Sequence, residues 1–143
     1  MATLTAANAV IMLAVSSLFD VPQQLQGFAA DDVFTTEITT PVETLMGVDG
    51  VLSGGWVATP KVQTISLQSD SLSNLIFEQW YNSQEQARET FIANANVTLM
   101  AVNQTYVLLR GFLTGYPPMP DARRILQPRR YRITWGSIIG TPV

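Results

Sequence analysis

Apolar side chains alternate with polar ones along much of this chain, and this period of two is the feature that most restricts its fold. Within RRYRITW, Tyr131 and Ile133 fall on one face of an extended strand, whereas Arg130 and Arg132 fall on the other. The segment KVQTISLQ also alternates, and NVTLMAV and QTYVLLRGFLTGY have the β-branched and aromatic content of strands. The pattern predicts several long strands, each with one buried face.

One segment has helical spacing instead, and it predicts an α-helix over about residues 71–92. Its apolar residues recur near i, i+3, i+4 and i+8, namely Leu72, Leu75, Ile76, Trp80, Ala87 and Phe91. Asp70, Ser71 or Ser73 could cap the first turn, and Glu85 to Glu89 would face water. We expect Trp80, with Leu72, Ile76 and Ala87, to anchor this helix on a sheet.

The remaining segments are predicted from their composition and turn residues. Residues 4–20 are rich in Val, Ile, Leu and Phe and predict a strand, whereas residues 20–32, with Pro22 and Gly27, predict a turn or irregular connection. Residues 40–60 predict a long glycine-containing hairpin or extended loop, in which the pair Asp49-Gly50 suits a tight turn with positive φ.

Together these elements predict an α+β fold that is mainly β. We expect an antiparallel β-sandwich or partial barrel with one flanking α-helix. A chain of 143 residues with 47% hydrophobic content can fill one core of ordinary size. No repeat and no shift in composition divides the sequence, so we expect residues 1–143 to form a single structural domain.

The charges are few and are sorted along the chain. Charged residues make up 13% of the sequence; residues 1–60 carry six acidic residues and no cation, whereas residues 104–143 carry six arginines and one acid. The two ends could pair within one subunit as neighbouring strands, or the acidic end of one subunit could pair with the basic end of the next. Sparse surface charge favours association, because net charge ordinarily keeps folded proteins apart.

Pairing between subunits identifies a candidate inter-subunit interface. Arginine forms bidentate links with carboxylates, so a row of arginines suits a partner that carries acidic residues. The candidate interface residues are Asp31, Asp32, Glu37, Glu43, Gly47, Asp49, Gly50, Arg123, Arg124, Arg129, Arg130 and Arg132.

The composition removes most catalytic chemistry. The chain has no histidine, no cysteine and a single lysine, Lys61, so neither a Ser-His-Asp relay nor a thiol nucleophile can be built. Asp31 and Asp32 are adjacent, so on a strand they should point to opposite faces, and Glu85 and Glu89, four residues apart on a helix, should face water. Neither pair therefore suits the two-carboxylate site of a glycosidase. We therefore predict a protein that is not an enzyme and has no cofactor or metal site.

Two further classes of protein are disfavoured and one stays open. The apolar run AVIMLAV is too short to cross a bilayer, and a pI near 4.7 argues against sequence-specific nucleic-acid binding. A module that binds cell-surface glycan stays open, with Trp56, Tyr81 or Tyr116 as stacking platforms.

Two longer stretches resemble a known family. VETLMGVDGVLSGGWVATPKVQTISLQSDS and LQPRRYRITW, together with the order strand, hairpin, strand, Trp-bearing helix and C-terminal strands, resemble the tail tube proteins of contractile-tailed bacteriophages. The resemblance extends over about residues 20–137. It applies equally to a closely related tube-initiating or baseplate-ring protein.

The resemblance implies a structural subunit whose sheets join those of its neighbours in a ring, usually six-fold, to form a β-barrel channel. Stacked rings would conduct DNA, and residues 40–60 correspond to the hairpin that reaches an adjacent subunit or ring. The implied partners are copies of the chain itself and sheath, baseplate and tape-measure proteins, without membrane insertion. The implied location is the virion tail, after synthesis and assembly in the host cytoplasm.

Overall fold

The computed structural model describes residues 9–29 and 33–142 of the chain. The described residues contain one α-helix, α1 (Asn74–Ala87), a short 3-10 helix (Met100–Val102) and nine strands. The strands are β1 (Ala9–Val15), β2 (Phe19–Gln24), β3 (Phe34–Thr36), β4 (Val42–Met46), β5 (Leu52–Trp56), β6 (Lys61–Leu67), β7 (Ala93–Leu99), β8 (Gln104–Gly115) and β9 (Arg129–Pro142). The prediction of a mainly β fold with one flanking helix is confirmed.

Seven of these strands form one antiparallel sheet in the order β2-β1-β7-β8-β9-β6-β3. The longest pairing joins β8 and β9, from Gln104 opposite Pro142 to Gly115 opposite Arg132. The strands show the period of two in their burial: in β7, the first, third and fifth residues are buried and those between them are exposed. One face of the sheet therefore faces the core.

The sheet curls because a short segment connects strands near its two edges. Residues 25–29 cross from β1 to β6: the Leu25 N–H donates to the Ile11 carbonyl at 2.9 Å, and the Ala29 N–H donates to the Ser66 carbonyl at 3.0 Å. Phe28 forms an isolated bridge with Leu67 of β6. The strand order does not close on itself within the described residues, so the sheet is not a closed barrel, in agreement with the predicted antiparallel β-sandwich or partial barrel.

The helix lies against the concave face of this curled sheet. Phe77 and Trp80 are fully buried, and the Phe77 ring stacks on the Tyr131 ring of β9 at 4.1 Å between centroids. The indole N–H of Trp80 donates to the Phe91 carbonyl at 3.2 Å. The predicted anchoring role of Trp80 is confirmed, whereas Leu72, which is 83% exposed, does not contribute to it.

Helix α1 is shorter than the predicted span of residues 71–92. It begins after Ser73, whose hydroxyl does not cap the helix but accepts a hydrogen bond from the Gln26 N–H at 2.8 Å. It ends at Arg88, which adopts a left-handed conformation with φ of 55°. The predicted contact of Ala87 with the core is wrong, because this residue is exposed in the last turn.

Strand β2 was not expected from the sequence. Residues 20–32 were predicted to form a turn or irregular connection, but Phe19–Gln24 pairs antiparallel with β1. Proline has no backbone N–H to donate to a neighbouring strand. Pro22 is tolerated in β2 because this strand lies at an edge of the sheet and has a neighbour on one side only.

Candidate assembly surfaces

The segment between β3 and β6 forms the hairpin predicted for residues 40–60. At its tip, the Gly47 N–H donates to the Val51 carbonyl at 2.8 Å, and the Gly50 N–H donates to the Gly47 carbonyl at 3.0 Å. Gly50 has a φ of 85°, the left-handed conformation that commonly closes a three-residue hairpin loop. The prediction that Asp49-Gly50 forms a tight turn with positive φ is confirmed at Gly50.

One face of the hairpin is apolar and exposed. Strands β4 and β5 pair only with each other, and Val42 lies opposite Trp56 while Met46 lies opposite Leu52. The four side chains therefore share one face, and their exposed fractions are 45%, 78%, 61% and 59%. An isolated two-stranded hairpin is marginally stable in water, so this face suits the surface of a partner.

The opposite face of the hairpin is more polar and carries acidic charge. Glu43 and Leu45 lie on this face, and Leu45 is opposite Ser53. At the tip, the Asp49 carboxylate accepts a hydrogen bond from the Val51 N–H at 3.2 Å. The candidate residues Glu43 and Asp49 thus lie on an exposed projection, separated from the arginines of the main sheet along the chain.

Strand β9 presents Arg130 and Arg132 on its outer face, as the alternation predicts. Both arginines are exposed, whereas Tyr131 and Ile133 are fully buried. The Arg132 guanidinium donates to the Thr114 carbonyl of β8 at 3.1 Å. This hydrogen bond holds the positive charge along the outer surface of the sheet.

Arg129 differs from the other candidate arginines because it is buried inside the subunit. Its side chain is 4% exposed, and it donates to Glu78 of α1 at 2.7 Å and to the Pro117 carbonyl at 2.8 Å. The Tyr116 and Tyr131 rings lie 5.8 and 5.4 Å from the guanidinium carbon. Burial alone would lower the pKa of Arg129, but the hydrogen bond to Glu78 and the surrounding groups raise it. Within one subunit, Arg129 is thus a buried residue that pairs with Glu78, unlike the exposed arginines of the candidate interface.

The loop between β8 and β9 carries the candidate residues Arg123 and Arg124. Both side chains are exposed. The loop is folded on itself, since the Gln127 N–H donates to the Asp121 carbonyl at 2.8 Å. The two arginines therefore project from an ordered turn.

Glu37 shares the outer face of the main sheet with Arg132. The register places Thr35 opposite Thr64, and Thr64 opposite Arg132. Glu37 is two residues beyond Thr35, and its N–H continues the pairing by donating to the Val62 carbonyl at 3.0 Å. The structure thus brings one candidate acid onto the same surface as one candidate arginine. Two other candidate acids, Asp31 and Asp32, lie outside the described residues.

The aromatic residues considered as glycan platforms do not form one site. Tyr81 and Tyr116 stack on each other, with centroids 4.2 Å apart and an interplanar angle of 7°. Each ring therefore covers one face of the other. Trp56 is exposed but belongs to the apolar face of the hairpin.

The described residues hold no group of three or more His, Cys, Asp or Glu side chains arranged to bind a metal ion. In the same part of the chain, no helix is long and apolar enough to span a membrane.

Solved structures from contractile injection systems share this fold. A chain in the cap that terminates the anti-feeding prophage tube aligns with a TM-score of 0.64 at 10% identity, covering 100% of this chain and 93% of that one. A chain in the 6-fold symmetrised anti-feeding prophage baseplate gives 0.61 at 10% identity, covering 100% and 99%. A chain in the extended sheath-tube complex of PVC, an extracellular contractile injection system, gives 0.57 at 11% identity, covering 93% and 88%.

No curated protein matches the chain. A protein family does match, the one described as tail fiber protein gp32, over residues 2–139. The match runs from before β1 into the last part of β9, so it includes the main sheet, the helix and the hairpin. Together with the shared fold, it confirms the predicted resemblance to structural proteins of contractile tails. The chain belongs to the tail fiber protein gp32 family.

Proposed function

We propose that the chain is a structural subunit of a phage tail tube, in which copies of the chain form stacked, hexameric rings around a DNA-conducting channel. One observation carries this proposal: the β4–β5 hairpin projects from the fold with an apolar face that no described part of the chain covers. The proposal is further supported by the fold shared with a chain of a sheath-tube complex.

The energetics of the hairpin favour an assembled state. Fully burying one large apolar side chain is worth roughly 1.5–3 kcal/mol, and the hairpin exposes four of them on one face. Their burial against a neighbour would offset the entropy lost when the hairpin is fixed. If the hairpin contacts a different surface of its neighbour, the contact is heterologous, and such contacts build rings or filaments.

The remaining parts of the proposal follow from the tube role. Residues 1–143 act as one structural domain, supported by a sheet whose strands come from both ends of the described chain. The partners are further copies of the chain and sheath, baseplate and tape-measure proteins, and DNA passes through the lumen without sequence-specific contacts. The subunit is made and assembled in the host cytoplasm, performs no catalysis and binds no cofactor.

A terminating cap or a baseplate ring is the second candidate function. The observation in its favour is that two of the structures with this fold are a tube-terminating cap and a baseplate. Such a subunit would use the same hairpin to close one ring without stacking further rings on it.

Electron microscopy of the purified chain tests both candidates. Long hollow tubes are expected for the tube subunit, and isolated rings would favour the cap or baseplate role. The double variant Leu52→Ser with Trp56→Ser removes two of the four side chains of the apolar face and should give folded monomers. Its control, Leu45→Ser on the opposite face, should assemble as the parent chain does. A parent chain that stays monomeric at high concentration would contradict both candidates and favour a glycan-binding module.

A further inference from the structure

Helix α1 covers only part of the concave face of the main sheet. Strand β9 has 14 residues and spans roughly 48 Å when extended, whereas α1 also has 14 residues but spans roughly 21 Å. The helix packs at the end of the sheet where β9 begins, on Tyr131. The far end of the same face extends beyond the helix.

That uncovered end contains an apolar cleft of about 310 Å³. Its walls include Phe34, Leu99, Tyr106 and Ile138, which are only half-buried. Gln63 also lines the cleft, but its side-chain carbonyl already accepts a hydrogen bond from the Trp135 indole N–H at 2.9 Å. The cleft therefore suits an apolar occupant.

We propose that this cleft receives the apolar face of the β4–β5 hairpin from a second copy of the chain. The inference rests on the proposed function and deepens it by naming the surface that accepts the hairpin. Within residues 9–29 and 33–142, both an apolar hairpin face and an apolar cleft are left uncovered, and the residues that line the cleft include none from the hairpin of the same chain. Joining the two surfaces between copies removes both from water.

One cation lies on the face of the sheet that holds the cleft, although it does not line the cleft itself. Lys61, the single lysine of the chain, lies on the same face of β6 as Gln63, two residues before it. The charged residues of the hairpin, Glu43 and Asp49, are both acidic. Glu43 lies on the polar face of the hairpin and points away from the cleft, whereas Asp49, at the hairpin tip, can approach Lys61 of the neighbour. This single pair of opposite charges favours an orientation with the tip toward Lys61.

The connection of the two surfaces explains how the contact propagates. The hairpin leaves the sheet after β3 and returns at β6, and Thr36 at the end of β3 lines the cleft. Each copy can therefore donate its hairpin to one neighbour while its cleft accepts the hairpin of another. A contact of this head-to-tail kind closes into a ring when the rotation between copies allows it.

Disulfide cross-linking tests this placement, since the chain has no cysteine of its own. Leu52→Cys on the apolar face of the hairpin is mixed with Thr36→Cys in the cleft, and the mixture is assembled and oxidised. A cross-linked dimer of the two variants is expected, because a disulfide forms only between nearby residues. The matched control uses Thr35→Cys, whose side chain lies on the opposite face of the same strand. Equal cross-linking at Thr35 and Thr36 would overturn the placement.

A blocking variant gives a second readout that does not depend on disulfide geometry. Thr36→Trp fills the cleft and should abolish assembly while leaving a folded monomer by circular dichroism, whereas Thr35→Trp should still assemble. Rings or tubes that form normally from Thr36→Trp would overturn the inference and leave the proposed function standing. A parent chain that forms no assembly would overturn both.

Discussion

Trp80 is the single residue on which the packing of α1 most depends. It is fully buried, and its indole N–H donates a hydrogen bond to the Phe91 carbonyl. Its ring centroid lies 6.3 Å from the centroid of the Phe77 ring. We expect Trp80→Ala to lower the free energy of unfolding by about 3–5 kcal/mol, as truncation of a buried aromatic residue does. Urea unfolding followed by circular dichroism measures the loss. Leu72→Ala, at an exposed neighbouring site, should change it by less than about 0.5 kcal/mol, and comparable losses in both variants would contradict the assignment.

Tyr131 should make the stability of the subunit sensitive to alkaline pH. Burial raises the pKa of its hydroxyl, which donates to the Asn74 side-chain carbonyl at 2.8 Å; the positive charge of Arg129 offsets this effect only in part. The unfolded chain loses the tyrosine proton near pH 10, before the folded chain does, so stability is full below about pH 10 and falls as the pH rises further.

The test compares the parent chain with Tyr131→Phe in urea unfolding between about pH 8 and 11. The variant should be less stable near neutral pH because it leaves the Asn74 carbonyl without its buried donor. Its stability should nevertheless fall less steeply with pH than that of the parent chain. An equal slope for both chains would show that Tyr131 does not titrate differently in the folded and unfolded states.

Arg129 shows what the strand period could and could not predict for one residue. It lies two residues before Tyr131, so the alternation that buries Tyr131 and Ile133 also points Arg129 inward. The alternation therefore indicates that Arg129 is buried. The prediction placed it at the surface instead, because a charged side chain is ordinarily exposed. The partner was not predictable, because Glu78 is 51 residues away and reaches Arg129 only once the helix packs on the sheet.

At the scale of elements, strands with one buried face were predictable from their alternation and the exposed β4–β5 hairpin from its turn residues, whereas the edge strand β2 was not predictable. Burial alternates in β7 and in the first half of β9. The segments of β6, β7, β8 and β9 were all predicted from sequence. Strand β2 has no fully buried residue, so it carries no periodic signal beyond its pairing with β1. The helix was predicted too long at both ends, because Ser71 and Ser73 bond to the Gln26 backbone and Arg88 leaves the helical conformation.

The β4–β5 hairpin should be the least protected paired element in an isolated subunit. Its strands pair only with each other and all their residues are exposed, so local opening costs little of the global free energy of unfolding. Amide hydrogen exchange should be fast from Val42 to Trp56 in a verified monomer and slow in the assembly. The matched reference is β7, which is paired on both sides and should stay protected in both states. Strong protection of the hairpin in the monomer would contradict the prediction.

At the scale of the molecule, the sequence predicted which kinds of surface exist but not how they meet. The separation of acidic and basic residues along the chain is visible in the sequence, and so is the hairpin. The cleft is not, because its walls come from β3, β6, β7, β8 and β9, and each wall residue has the ordinary pattern of a core strand. Only the curl of the sheet and the short span of α1 turn those core residues into an open surface.

The exposed arginines of the β8–β9 loop provide the last prediction, which concerns the assembled state. If Arg123 and Arg124 meet acidic residues of a neighbouring subunit, assembly should weaken as salt is added, because exposed charges are screened beyond about 10 Å at 0.1 M ionic strength. The fold should change little, since both side chains project into solvent. The double variant Arg123→Glu with Arg124→Glu should therefore stay folded and fail to assemble, because like charges facing each other oppose a specific interface.

Sedimentation and circular dichroism on the same samples separate the possible outcomes for this double variant. Arg88→Glu, at an exposed arginine that ends α1, is the matched control and should assemble like the parent chain. A second change, Glu37→Arg or Glu43→Arg, should restore assembly if that acid is the partner, since it returns opposite charges to the contact. Loss of the fold would mean that the two arginines act within the subunit. Normal assembly of the double variant, with no dependence on salt, would mean that they face solvent, and the interface would then rest on the hairpin and the cleft alone.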